Sequence, residues 1–86
     1  GINRNLNFAT AGDNRFNVYI TGSTESGSDV GSDLSFARYD DSGSFLATAM
    51  LIQRSSGNVG IGQSSPSSRL TIRPNVDSTD GGIRFE

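Results

Sequence analysis

At 86 residues the chain is one domain or part of one, and so short a chain buries only about 60–65% of the surface its unfolded form exposes. It contains neither cysteine nor histidine, so no disulfide supplies the missing stability, and small folds without such staples commonly gain a core by oligomerising. A net charge of −2, carried by seven scattered arginines, no lysine and nine carboxylates, excludes the basic stripe of a nucleic-acid binder. No apolar run approaches the roughly 18 residues of a membrane-spanning helix, and no stretch of these residues reads as a signal peptide.

Taken in order, Leu6, Phe8 and Thr10 line one face of a first predicted strand, and Thr10 to Asn14 turns the chain. Arg15 to Thr21 is the cleanest strand. Phe16, Val18 and Ile20 alternate with Arg15, Asn17, Tyr19 and Thr21, the period of a half-buried strand. The longest predicted loop, Ser23 to Asp33, repeats Gly-Ser-Asp at residues 27–29 and 31–33. A third strand, Leu34 to Tyr39, sets Leu34, Phe36 and Arg38 against Ser35, Ala37 and Tyr39.

Asp40-Asp41-Ser42-Gly43 is a hairpin signal, with glycine where positive φ is needed. Phe45 to Ile52 is apolar on both faces, which predicts the most buried strand. Its Ala, Leu and Met also suit a helix, but eight residues between Ser-Gly turns favour a strand. Ser55 to Ile72 then opens with a turn at Ser55–Asn58, runs through Val59-Gly60-Ile61-Gly62, breaks at Gln63–Pro66 and resumes with Leu70 and Ile72 on one face. Glycines in a strand leave it flat enough for close backbone approach. Gly, Ser, Asn and Asp fill 39 of the 86 positions, but the alternation between turn clusters argues for order. The prediction is all-β: short antiparallel strands and hairpins, in a multimer or a β-sandwich-like segment.

Gly57-Asn58-Val59-Gly60-Ile61-Gly62, then Pro66, then Leu70-x-Ile72 resembles a unit common in the shafts of bacteriophage tail fibres and related trimeric surface fibres. A second resemblance covers residues 14–61 and looks like a module of phage tail fibres and tail spikes. It rests on Asn14-Arg15-Phe16, Glu25-Ser26-Gly27, Gly31-Ser32-Asp33-Leu34, Arg38-Tyr39-Asp40-Asp41, Gly43-Ser44-Phe45-Leu46 and Ile52-x-Arg54-x-x-Gly57-x-Val59. Relatives commonly carry Trp where this chain has Phe16. The similarity implies a homotrimer, each chain partnered by two further copies, with strands of three chains around one axis. Phe16, Val18, Ile20, Phe36, Phe45, Leu51, Val59 and Ile61 would fill its shared core, and the small Gly60 and Gly62 would let the chains approach. It also implies a place in the virion, in a tail fibre or spike supporting host attachment. Residues 1–62 read as the fibre module; residues 63–86 read as a connecting strand and the start of the next unit, opened by Asp80-Gly81-Gly82-Ile83.

Chemistry-bearing residues are sparse. Asp29, Asp33, Asp40 and Asp41 form the acidic cluster; oxygen ligands of this kind hold Ca²⁺ or Mg²⁺, but Asp in Gly-Ser loops more often caps turns. No calcium-loop pattern is matched, so neither metal nor cofactor is expected. Glu25 is the sole interior Glu, and without His, Lys or Cys the usual bases and nucleophiles are missing. No catalysis is expected within these residues. Tyr19, Tyr39 and Arg38 are the best candidates for binding a host cell-surface glycan, since aromatic rings stack on sugars and arginine donates to hydroxyls; equally, both tyrosines can pack across strands or between subunits. Two functions follow, a structural fibre segment or a glycan-binding module of the same fibre.

Overall fold

The computed structural model describes residues 4–74. Six strands, β1 (Asn5–Thr10), β2 (Asp13–Ile20), β3 (Leu34–Tyr39), β4 (Phe45–Ile52), β5 (Val59–Ile61) and β6 (Leu70–Ile72), hydrogen-bond in chain order into one sheet. The described residues contain no helix, and the chain is all-β. Its strands β3 and β4 have the bounds that their alternation and flanking turns predict.

Turn chemistry explains the meander. Ala11 and Gly12 both have positive φ (53° and 86°), the primed two-residue turn whose twist matches paired strands. Between β3 and β4, Asp40 N–H donates to the Ser44 carbonyl at 2.9 Å and Gly43 N–H to the Asp40 carbonyl at 3.1 Å. Gly43 is left-handed at φ 84°, as the hairpin signal requires. Four successive pairings, β1 to β5, are antiparallel. The last is not. β5 and β6 run parallel, so the antiparallel expectation is corrected there. Residues 62–69 cross back over the sheet, and Val59 N–H donates to Arg69 O and Arg73 N–H to Ile61 O, each at 2.9 Å. The expected start of a further unit at Asp80–Ile83 lies outside the described residues.

Residues directly opposite in paired strands share a face, so the register sorts the side chains. One face collects Leu6 and Phe8, Phe16, Val18 and Ile20, Leu34 and Phe36, Met50 and Ile52, Val59 and Ile61, and Leu70 and Ile72. The other collects Asn5 and Asn7, Asn17 and Tyr19, Ser35, Ala37 and Tyr39, Phe45 and Leu51, Gly60 and Thr71. Six of the eight residues assigned to a shared core therefore lie on the first face; Phe45 and Leu51 lie on the second.

The second face is the buried one. Ser35 and Ala37 are each 1% exposed and Leu51 is 5% exposed, with Asn17 also buried. Part of the cover is the chain's own crossover. A Cβ on Gly60 would collide with the Gln63 carbonyl and touch the Pro66 ring at 3.5 Å, and Pro66 is itself buried. Asn58 Nδ2 donates to Pro66 O at 3.2 Å and holds the crossover down. Close approach at Gly60 and Gly62 is thus made within the chain, by the Gln63 and Arg73 carbonyls. Gly62 turns at φ 68° with the Arg73 carbonyl 2.9 Å from its would-be Cβ.

β4 is not the most buried strand either. Phe45, Leu46 and Ala49 are exposed and only Leu51 is buried, while β3 buries Ser35 and Ala37. Two register shifts place Leu46 and Ala49 out of the β3–β4 pairing. With one layer of sheet, nothing among the described residues stands opposite the apolar side to bury it.

Candidate functional site

The closed face carries a shallow concavity of about 330 Å³ lined by Asn5, Asn17, Tyr19, Tyr39 and Phe45. The β1–β2 and β2–β3 pairings set Asn5 opposite Tyr19, and Asn17 opposite Ala37, while the β3–β4 hairpin sets Tyr39 opposite Phe45. The two rings of that hairpin pair meet edge to face, with centroids 6.0 Å apart and planes at 79°, an arrangement favoured by the ring quadrupoles. Asn17 Nδ2 donates to the Tyr39 hydroxyl at 3.5 Å, a long bond, and Asn17 Oδ1 is buried without a donor among the described residues.

Tyr19 and Tyr39 thus come together, and Arg38 does not join them. Arg38 pairs with Phe16 across β2–β3 and with Ala47 across β3–β4, on the apolar face. The alternation Arg38-Tyr39 already separates them, because neighbours in a strand point to opposite faces. Phe45, Asn5 and Asn17 were missed as lining residues. A hairpin closed at Asp40–Gly43 carries Phe45 back beside Tyr39, so Phe45 was findable; the two asparagines depend on the β1–β2–β3 register.

Arg54 organises the loop between β2 and β3. Its guanidinium donates to the carbonyls of Gly31 at 2.9 Å and Val30 at 3.3 Å and sits 3.6 Å from the Glu25 carboxylate. The Arg54 N–H donates to Asp33 Oδ1 at 2.9 Å. Ser32 Oγ donates to Glu25 at 2.5 Å. That hydroxyl first, and the arginine behind it, hold the Glu25 carboxyl below its ordinary value. The candidate acidic residues are used locally: Asp33 receives Arg54, and Asp40 accepts Ser42 N–H, Ser42 Oγ and Ser44 N–H at 2.9, 2.7 and 2.9 Å. Those bonds, the Ser42 hydroxyl first, lower the Asp40 carboxyl below its ordinary value. Asp29 lies in the Gly27–Val30 turn at φ 62°. No three His, Cys, Asp or Glu side chains converge as a metal site among the described residues.

What this arrangement offers is a ring-lined, uncharged dimple on one face and a broad apolar surface on the other. No protein-family model matches the chain, and no curated protein matches its sequence.

Proposed function

We propose that the chain is a structural segment of a phage tail fibre or tail spike, built as a homotrimer and supporting host attachment from within the virion. The observation that carries the reading is that a six-stranded sheet has no second layer among the described residues, and only Ala37 and Leu51 of its apolar side chains are buried. Such a sheet lacks a core of its own, and further copies supply one. The Gly-Asn-Val-Gly-Ile-Gly unit and the Asn14–Ile61 module support the fibre assignment by resemblance. In this reading the segment holds a rigid connection and catalyses nothing.

Light scattering on the purified 86-residue chain tests it. A stable mass near three times 9.1 kDa is expected, and a folded monomer would overturn the shaft. The second reading, a glycan-binding module, is favoured by the Tyr19–Tyr39–Phe45 dimple. A glycan array separates the two, because a shaft alone binds no sugar; retained binding lost in Tyr39→Ala would favour the module.

A further inference from the structure

We infer that the face bearing Leu6, Phe8, Phe16, Ile61 and Leu70 is the surface through which copies of this chain pack on one another, and that the opposite face stays outward. This deepens the reading of an assembling fibre segment and rests on it for the occupant, though not for the number of copies.

The distribution of side chains is inverted for a lone domain. On the closed face the buried positions are mostly small or polar, Ser35, Ala37 and Asn17 beside Leu51, and of its paired residues the one large apolar side chain left exposed is Phe45, against Tyr39. Large apolar residues fill the open one, where Leu6 and Leu70 are 58% exposed, Phe16 57%, Phe8 50% and Ile61 38%. The closed face is already occupied at Gly60 by the Gln63–Pro66 crossover, so a second copy finds no room there. Monomeric proteins rarely leave a contiguous apolar patch above a few hundred Å². Here the patch runs through all six strands of a body measuring 41 by 39 Å across and 19 Å through. That outline has room for the roughly 800 Å² per partner that a stable interface needs.

Charge points the same way. On this face the register places Asp13 at the β1–β2 hairpin tip and Arg38 beside Phe16, both toward one end. At the other end Arg4, whose carbonyl accepts the Ile20 N–H, and the Arg54–Glu25 pair stand beyond Ile20, Leu34 and Ile52, so that the apolar stretch between the two ends carries no charge. An interface depleted of charge at its centre, with charge at its rim, is the composition that protein contacts select. A second copy presents the same surface, and apolar complements apolar.

Neighbouring residues of one exposed edge strand give the test. In the full 86-residue chain, Leu6→Glu and Leu70→Glu should each weaken association by about ten-fold or more in sedimentation equilibrium, because assembly then buries an unpaired carboxylate. Asn7→Glu, one residue away on the other face, should leave it unchanged. As the natural chain has no cysteine, thiol labelling gives a readout independent of those variants' folding. Labelling of Leu6→Cys should slow as chain concentration rises through assembly, and labelling of Asn7→Cys should not. Equal behaviour of the two positions, or protection of Asn7→Cys alone, would overturn the inference. An assembly of three that dissociates with Asn7→Glu leaves the shaft and removes this interface; an assembly of two broken by Leu6→Glu does the reverse. A wild-type monomer removes both.

Discussion

On one face of the sheet Leu51 is 5% exposed, next to a glycine under the crossover that passes through Pro66; on the other, Leu6 and Leu70 stand 58% exposed with no cover among the described residues. Both faces belong to the same strands and share the same hydrogen bonds. They differ in side-chain size. Where the chain places Gly60, Ser35 and Ala37, its own backbone and rings can lie close enough to exclude water. Where it places Phe8, Phe16 and Phe36, no connecting segment of the described residues lies over the surface. Small residues let the chain cover its own sheet, and large ones leave the other face open.

The largest way to break that contrast is to deny the closed face its cover. Gly60→Val should cost about 3 kcal/mol in urea unfolding and should expose the amides of β6 to rapid hydrogen exchange. Because the collision lies within one chain, the loss should not depend on protein concentration. Leu51→Ala should cost about 2–4 kcal/mol through the cavity it leaves, again at every concentration. Ile61→Ala on the open face should cost about 1 kcal/mol in dilute solution and progressively more as the chain assembles, because association is linked to folding. Equal concentration dependence of the two would dissolve the distinction between the faces.

A smaller effect appears only in acid, at the hairpin that brings Phe45 onto the closed face. The Asp40 carboxyl is lowered, first by the Ser42 hydroxyl and then by the Ser44 N–H. Stability from a lowered carboxyl is present above its unfolded-state pKa and is lost as pH falls through the lowered folded-state value. Melting temperature should therefore drop more steeply for the natural chain than for Asp40→Asn on acidification below about pH 4. The smallest change sharpens the open face. Ala11 holds φ 53° in the turn joining Phe8 to Phe16, a conformation Asn adopts more readily. Ala11→Asn should raise stability by about 0.5 kcal/mol in the same urea titration.

Strand positions were legible because turn residues and period-two alternation are local signals, and β3 and β4 show it residue for residue. The sidedness of β4 was not legible. Phe45 to Ile52 is apolar throughout, so no polar side marks which face joins Phe16 and Phe36, and Leu51 fell on the other one. Pairing partners are likewise invisible to alternation, which is why the parallel β5–β6 contact and the intramolecular use of Gly60 emerged only with the register. Of the candidate glycan face, the two tyrosines line one concavity from the paired strands β2 and β3, while Arg38 was separable from Tyr39 by counting alone.

The parallel step between β5 and β6 has a consequence in parity. Six strands joined by five hairpins bring a chain back to the end of the sheet where it entered. Replacing one hairpin with a crossover changes the count, so that the path enters β1 at one end of the strands and leaves β6 at the other. A pull applied at Arg4 and Pro74 therefore acts at opposite ends of the two edge strands, and its component along the strands loads the hydrogen bonds between them in shear. An eight-residue detour through residues 62–69 converts a folded-back meander into a path with its two ends on opposite sides of the sheet.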